Sequence, residues 1–156
     1  MNLERASMDD AGGCKPCAFE NAGVPGGWFL QDEHWSVGVY PTFEVPGWVV
    51  VQLRRHALGL DEMTADELTS LGPMLARVTR AIVAETKAER VYLLSFGEAV
   101  RHVHVLLMPR GPAVPSEHRG AALYANSKLY GDTVAAAETS ARLCAILRSD
   151  QPAAAG

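Results

Sequence analysis

The side chains able to do chemistry concentrate in two short motifs, Cys14-Lys15-Pro16-Cys17 and His102-Val103-His104. A Cys-x-x-Cys pair has two common uses. As a redox pair it would stand between a strand and a helix in a βαβ unit. Here the Gly/Pro-rich stretch Gly23–Gly27 follows, and that setting is missing. As half of a tetrahedral metal site, two thiolates at this spacing grip one ion, zinc above all, and need two further ligands from elsewhere. Five histidines are on offer: His34, His56, His102, His104 and His118. His102 and His104 lie in a run from Val100 to Met108 that lacks Gly and Pro, between Gly97 and Pro109. That pattern predicts one strand of about nine residues. Side chains two apart share a strand face, so His102, His104, Leu106 and Met108 point one way, their neighbours the other. The apolar flanks put the two imidazoles in or beside a core, where they need partners.

The elements that position these motifs begin as strands. Trp28–Gln31, Trp35–Tyr40 and Gly47–Arg54 are apolar or β-branched runs separated by hairpin-length turns, which predicts an antiparallel meander. Thr64-Ala65-Asp66-Glu67 has the form of a capping box. Leu68, Leu71, Leu75, Val78 and Ile82 then fall on one stripe of a helix from about Ala65 to Thr86, which Gly72-Pro73 is expected to kink or split. Arg90–Phe96 reads as a further strand that turns at Gly97 into the two-histidine strand. A Pro/Gly-containing loop follows Pro109-Arg110, and Asp132 starts an Ala-rich helix to about Arg148. Strands, helix, strands, helix is an α+β order with an antiparallel sheet.

At 156 residues, with 48% hydrophobic residues and a net charge of −4, the chain reads as one water-soluble domain. Its boundaries are a flexible N-terminus at 1–13, the domain at 14–150 and a disordered tail at 151–156. The excess of acidic over basic residues argues against holding a nucleic-acid backbone by charge. No apolar run approaches the roughly 18–20 residues of a membrane helix. Met1–Gly13 lacks the apolar centre of a signal peptide. Three cysteines make an incomplete disulfide set and suit a reducing compartment, so a cytoplasmic protein is expected. Cys144, in the last helix, reads as a small buried hydrophobe. His34 and His118 fall in loops and read as solvated.

The stretch from Gly97 to Arg110 resembles the signature of the histidine triad (HIT) superfamily of nucleotide hydrolases and transferases. That signature is Gly-Gln, three residues, then three histidines alternating with apolar residues, commonly closed by Pro-Arg. Gly97, His102, His104 and Pro109-Arg110 match in register, while Glu98 stands for the Gln and Leu106 for the third His. Pro41, Pro46-Gly47, the following strand and Arg55-His56 are similar to a second family region, except that Trp48 stands where that pattern has a His. The resemblance spans most of the chain from Cys14 onward. It implies a HIT-like antiparallel sheet of about five strands with a long helix and a C-terminal helix, assembled as a homodimer.

In zinc-bearing members of that family the ligands fall on Cys14, Cys17, His56 and His102, all present here. Two thiolates and two neutral imidazoles close a tetrahedral shell, the pattern of a structural Zn2+. The resemblance makes His104 the nucleophile that attacks the α-phosphorus of a nucleotide and forms a nucleotidyl-imidazole, later cleaved by water. Leu106 cannot donate to a phosphate. Glu98, if it lies in the substrate site, repels an anion, and Arg110 is a candidate compensating cation. Losing one transition-state donor costs about 10²- to 10³-fold, which leaves a weakened enzyme. Two alternatives stay open: a non-catalytic zinc-stapled module that binds a nucleotide or a protein, and a HIT scaffold diverted to zinc-assisted or general-base chemistry on another small molecule.

Overall fold

The computed structural model describes residues 13–150, so the expected tail at 151–156 and all of the expected flexible start but Gly13 lie outside the described residues. A first helix, α1 (Lys15–Ala22), precedes strands β1 (Leu30–Gln31), β2 (Trp35–Gly38) and β3 (Val49–Leu53). The long helix α2 (Ala65–Thr86) follows, then β4 (Arg90–Leu94), β5 (His104–Arg110), a short α3 (Ala121–Ala125) and α4 (Thr133–Ser149). The five strands form one antiparallel sheet in the order β1-β2-β3-β5-β4. This is the α+β architecture that the element order predicts.

Strand parity divides the core in two. Val49, Val51, Leu53 and Leu107 face a main core with Val78 and Ile82 of α2 and Leu143 and Leu147 of α4. On the opposite face Trp48, Leu106 and Met108 pack beneath Val114 and Leu123, so the segment after β5 roofs that side. Gly47 opens β3 with φ at +79°, and a Cβ there would meet Pro109 and Thr86 side-chain carbons at 2.9 Å. Both the left-handed turn and the close approach require glycine.

The capping box is present, with Glu67 N–H donating to Thr64 Oγ1 and the Glu67 carboxylate accepting from the Thr64 N–H. Four expectations need correction. Pro73 neither splits nor ends α2, which runs through it; Met74, Val78, Ala81 and Ile82 are buried beyond it, and packing outweighs one lost donor. The predicted strand over Val100–Met108 begins only at His104, because His102 N–H turns back onto the Val100 carbonyl at 3.1 Å. Cys144 is half-buried at the rim of the main core. The loop after Arg110 contains α3 and two 3-10 turns, and His118 there is half-buried, its Nδ1 2.6 Å from the Tyr130 hydroxyl. Among the described residues no helix is long and apolar enough to cross a membrane.

Candidate active site and metal centre

Because β3 and β5 are antiparallel neighbours with Gln52 opposite His104, the end of one and the start of the other meet at the same edge of the sheet. His56 leaves β3 there and His102 enters β5 there. Two bonds hold this junction, Leu53 N–H to the Val103 carbonyl at 2.9 Å and Val103 N–H to the Ala57 carbonyl at 2.8 Å. Helix α1 covers the junction, with Cys14 as its N-cap and Cys17 in its first turn. The four ligand atoms of Cys14, Cys17, His56 and His102 lie within 4.8 Å of one another.

The spacing of those atoms tests the site. His102 Nδ1 is 3.3 Å from Cys14 Sγ and 3.5 Å from Cys17 Sγ, and His56 Nδ1 is 3.4 Å from Cys17 Sγ. A tetrahedral zinc ion with ordinary bond lengths would place its sulfur and nitrogen ligands about 3.6 Å apart. His102 Nε2 is 2.6 Å from the Leu53 carbonyl. A carbonyl only accepts, so Nε2 carries the hydrogen and Nδ1 turns its lone pair to the cysteines. Burial also lowers the His102 pKa, favouring the neutral ligand. Burial first, and a hydrogen bond with Cys14 second, push the Cys17 thiol up to about 11. A cation among these donors would displace that proton, as metal binding to thiols does. The donor set fits a metal ion with a filled shell.

The neighbour of His56 is fixed independently. Arg55 Nε donates to Glu67 Oε1 at 2.6 Å and Nη2 donates to Glu67 Oε2 at 2.7 Å. Arg55's hydrogen bonds hold the Glu67 carboxyl down at about 2. That lies below its unfolded value of about 4.3. The stabilisation is therefore complete above about pH 5 and is lost as pH falls toward 2. Glu67→Gln is expected to lower the unfolding free energy by about 2 kcal/mol at neutral pH and to flatten the acid side of the stability curve. Urea unfolding between pH 2.5 and 7 checks this; an identical acid slope in both proteins would refute it.

His104 opens β5, two residues after His102. Its Nδ1 is 2.7 Å from the His102 carbonyl, so Nδ1 carries the hydrogen and Nε2 keeps a lone pair in the neutral ring. Its ring lies 6.3 Å from that of Tyr40. Glu98 is exposed in the connection from β4 to β5. Arg110 is six residues along the strand from His104, about 20 Å away. Its buried guanidinium is engaged by Glu89. Two of the three departures from the sequence pattern, Trp48 and Leu106, lie in one apolar cluster. Trp48 stacks on Tyr124 with centroids 6.0 Å apart, and its Nε1 is buried without a partner, so the residue serves through its ring.

Sequence reasoning missed Gln52. Fully buried, it donates from Nε2 to the Pro16 carbonyl at 3.1 Å and to Glu20 at 2.7 Å, and it accepts from the Tyr40 hydroxyl at 2.7 Å. It thus ties the cysteine-bearing turn of α1 to the strand beside His104. A polar residue inside the run Val49–Leu53 was the available signal.

Neither a protein-family model nor a curated protein sequence matches the chain. Solved structures do. A Zn-bound histidine triad family protein from Mycobacterium smegmatis aligns with a TM-score of 0.61 at 17% identity, over 89% of this chain and 96% of its own. A hypothetical histidine triad nucleotide-binding protein from Sulfolobus tokodaii aligns at 0.66 and 19%, over 87% and 93%. A Hit-like protein involved in cell-cycle regulation from Bartonella henselae aligns at 0.64 and 14%, over 85% and 95%. The likeness covers nearly the whole domain and fixes the fold as HIT-like.

Proposed function

We propose that this HIT-like chain is a nucleotide hydrolase or transferase that works through His104. The observation that carries this is the bond from His104 Nδ1 to the His102 carbonyl, which leaves Nε2 as the free nucleophilic nitrogen. Nε2 attacks the α-phosphorus, the leaving group departs, and water cleaves the nucleotidyl-imidazole to release a nucleoside monophosphate. Cys14, Cys17, His56 and His102 would hold Zn2+, whose contribution when bound is structural, because four protein donors leave no open position. With Leu106 and Trp48 in apolar packing and Arg110 committed to Glu89, the phosphate has fewer donors, and turnover is expected to be about 10²- to 10³-fold below that of a complete site. The same apolar packing favours a second reading, a zinc-stapled module that binds a nucleotide without turning it over.

The test is a purified, metal-retaining protein offered an adenosine phosphoramidate and a dinucleoside polyphosphate. AMP release is followed, and acid-free quenching is combined with mass spectrometry. Release, with a transient AMP adduct on the peptide containing His104, supports the reading. No release from a folded, metal-loaded protein sinks it and leaves the binding module.

We further assign a symmetric dimer to the β4 edge of the sheet, where Leu93 is 50% exposed on an outer strand. Leu93→Lys is expected to convert a dimer into a monomer in sedimentation equilibrium; a monomeric wild type removes the assignment. Three unpaired thiols suit a reducing compartment, and we assign the protein to the cytoplasm on that ground.

A further inference from the structure

We propose that Gln52 and Tyr40 are positioning residues that make the ligand affinity of the His104 site depend on the metal centre; this rests on the reading of His104 as part of a nucleotide site. Gln52 is the register partner of His104 across the β3–β5 ladder, so the two side chains rise from the same face of the sheet. The Gln52 amide is fully buried and divided between two elements. Both its hydrogens go to α1, one to the Pro16 carbonyl at 3.1 Å and one to Glu20 Oε1 at 2.7 Å. Its oxygen accepts from the Tyr40 hydroxyl at 2.7 Å. Tyr40 takes a second hold from the same helix, since its ring lies 5.1 Å from that of Phe19. On its other side it stands 6.3 Å from the His104 ring. Pro16, Phe19 and Glu20 all belong to the eight-residue helix that carries Cys17.

An ion that seats Cys14 and Cys17 beside His56 and His102 therefore also seats the acceptors of Gln52 and the ring that backs Tyr40. When α1 leaves its place, both Gln52 hydrogens lose their acceptors at once. A buried amide without partners is costly, so the side chain turns to the water that replaces the helix. Its oxygen moves with it, and Tyr40 loses its hydroxyl partner together with the Phe19 ring. Tyr40 is 8% exposed with α1 seated. Without the helix its ring is uncovered and free to leave His104. The bond from His104 Nδ1 to the His102 carbonyl does not involve α1, so His104 keeps its tautomer while its neighbour is lost. The chain thus has two arrangements of α1, Gln52 and Tyr40, and a ligand at either place favours the same one. That is the condition for a coupling that runs in both directions.

The experiment measures the Kd of AMP for the zinc-loaded and the chelated protein, in the wild type, Gln52→Met and Tyr40→Phe. The first variant keeps the length of the side chain and removes its hydrogen bonds; the second keeps the ring and removes the hydroxyl. Zinc affinity is measured with and without saturating AMP, by competition with a chromophoric chelator. The wild type is expected to bind AMP about tenfold more weakly after chelation and, because linkage makes the two factors equal, to hold zinc about tenfold more tightly with AMP bound. In both variants the two factors are expected to fall toward one while zinc content stays full at saturating zinc. A general loss of stability would not produce that pattern. A third readout needs no nucleotide: the ring proton and nitrogen resonances of His104, which chelation is expected to move further in the wild type than in Gln52→Met. AMP affinity that ignores chelation in the wild type overturns the proposal, as do coupling factors in both variants equal to those of the wild type. If AMP binds neither form, the nucleotide reading of His104 fails. The His104 resonances then decide the coupling alone, and equal displacements in the wild type and Gln52→Met overturn it.

Discussion

Cys17→Ser is expected to lose the metal and to lower the unfolding free energy by about 4 kcal/mol relative to the metal-loaded wild type. The estimate follows from linkage: an ion that binds only the folded chain stabilises it by about 4 kcal/mol at a free concentration a thousandfold above its Kd. For a domain of this size that corresponds to a fall in Tm of roughly 10 °C. The effect is large because α1 buries little surface of its own. It has eight residues, and Pro16 is its one buried residue. A helix this short is not stable alone. Its anchors are the four-ligand cluster, the bonds of Glu20 and the Pro16 carbonyl to Gln52, the Glu20–Arg54 pair and the Phe19–Tyr40 ring contact. The sheet and α2 keep their own core, so the chelated protein is expected to remain folded there while α1 detaches. Thermal and urea unfolding of the loaded wild type, its chelated form and Cys17→Ser measure this, with metal analysis beside them. A wild type that binds no metal, or one whose midpoint ignores the chelator, refutes it.

What could be read in the sequence is what depends on local chemistry or on short repeats. The capping box at Thr64–Glu67 is a local exchange of two hydrogen bonds, and the strand runs at 35–38 and 49–53 follow from β-branched residues between turn residues. The four residues that could hold a metal were legible because the cysteine spacing and the resemblance point to the same positions, and the structure brings them together. What was not legible depends on long-range packing. Pro73 argues locally for a break, and the buried residues on both sides of it decide otherwise. The first turn of α1 forms around the cysteines with no apolar periodicity to announce it. The segment from 111 to 131 has the composition of a loop, yet Val114 and Leu123 make it the roof over Leu106 and Trp48. That roof turns two substitutions, each of which reads in sequence as the loss of a polar group, into one apolar surface.

His104→Ala is expected to abolish nucleotide turnover, by at least about 10³-fold, while leaving the fold and the metal in place. Removing the proposed nucleophile leaves only binding and the remaining donors of the site, which alone sustain a small residue of catalysis. The structural loss is modest. His104 is half-buried, and the variant forfeits one hydrogen bond to a carbonyl, about 1 kcal/mol. His102 keeps its own bond from Nε2 to the Leu53 carbonyl, so its Nδ1 stays directed at the cysteines. Metal content and Tm are therefore expected to change little. The pair of readouts separates the alternatives. Turnover that falls with metal content unchanged supports His104 as the reacting group, and loss of the AMP adduct from the same variant supports nucleophilic attack. If turnover falls but the wild type never carries an adduct, His104 acts as a base and water attacks directly. Turnover that survives the substitution removes His104 from the chemistry altogether, and the apolar surface over Leu106 then becomes the place to look for what the protein binds.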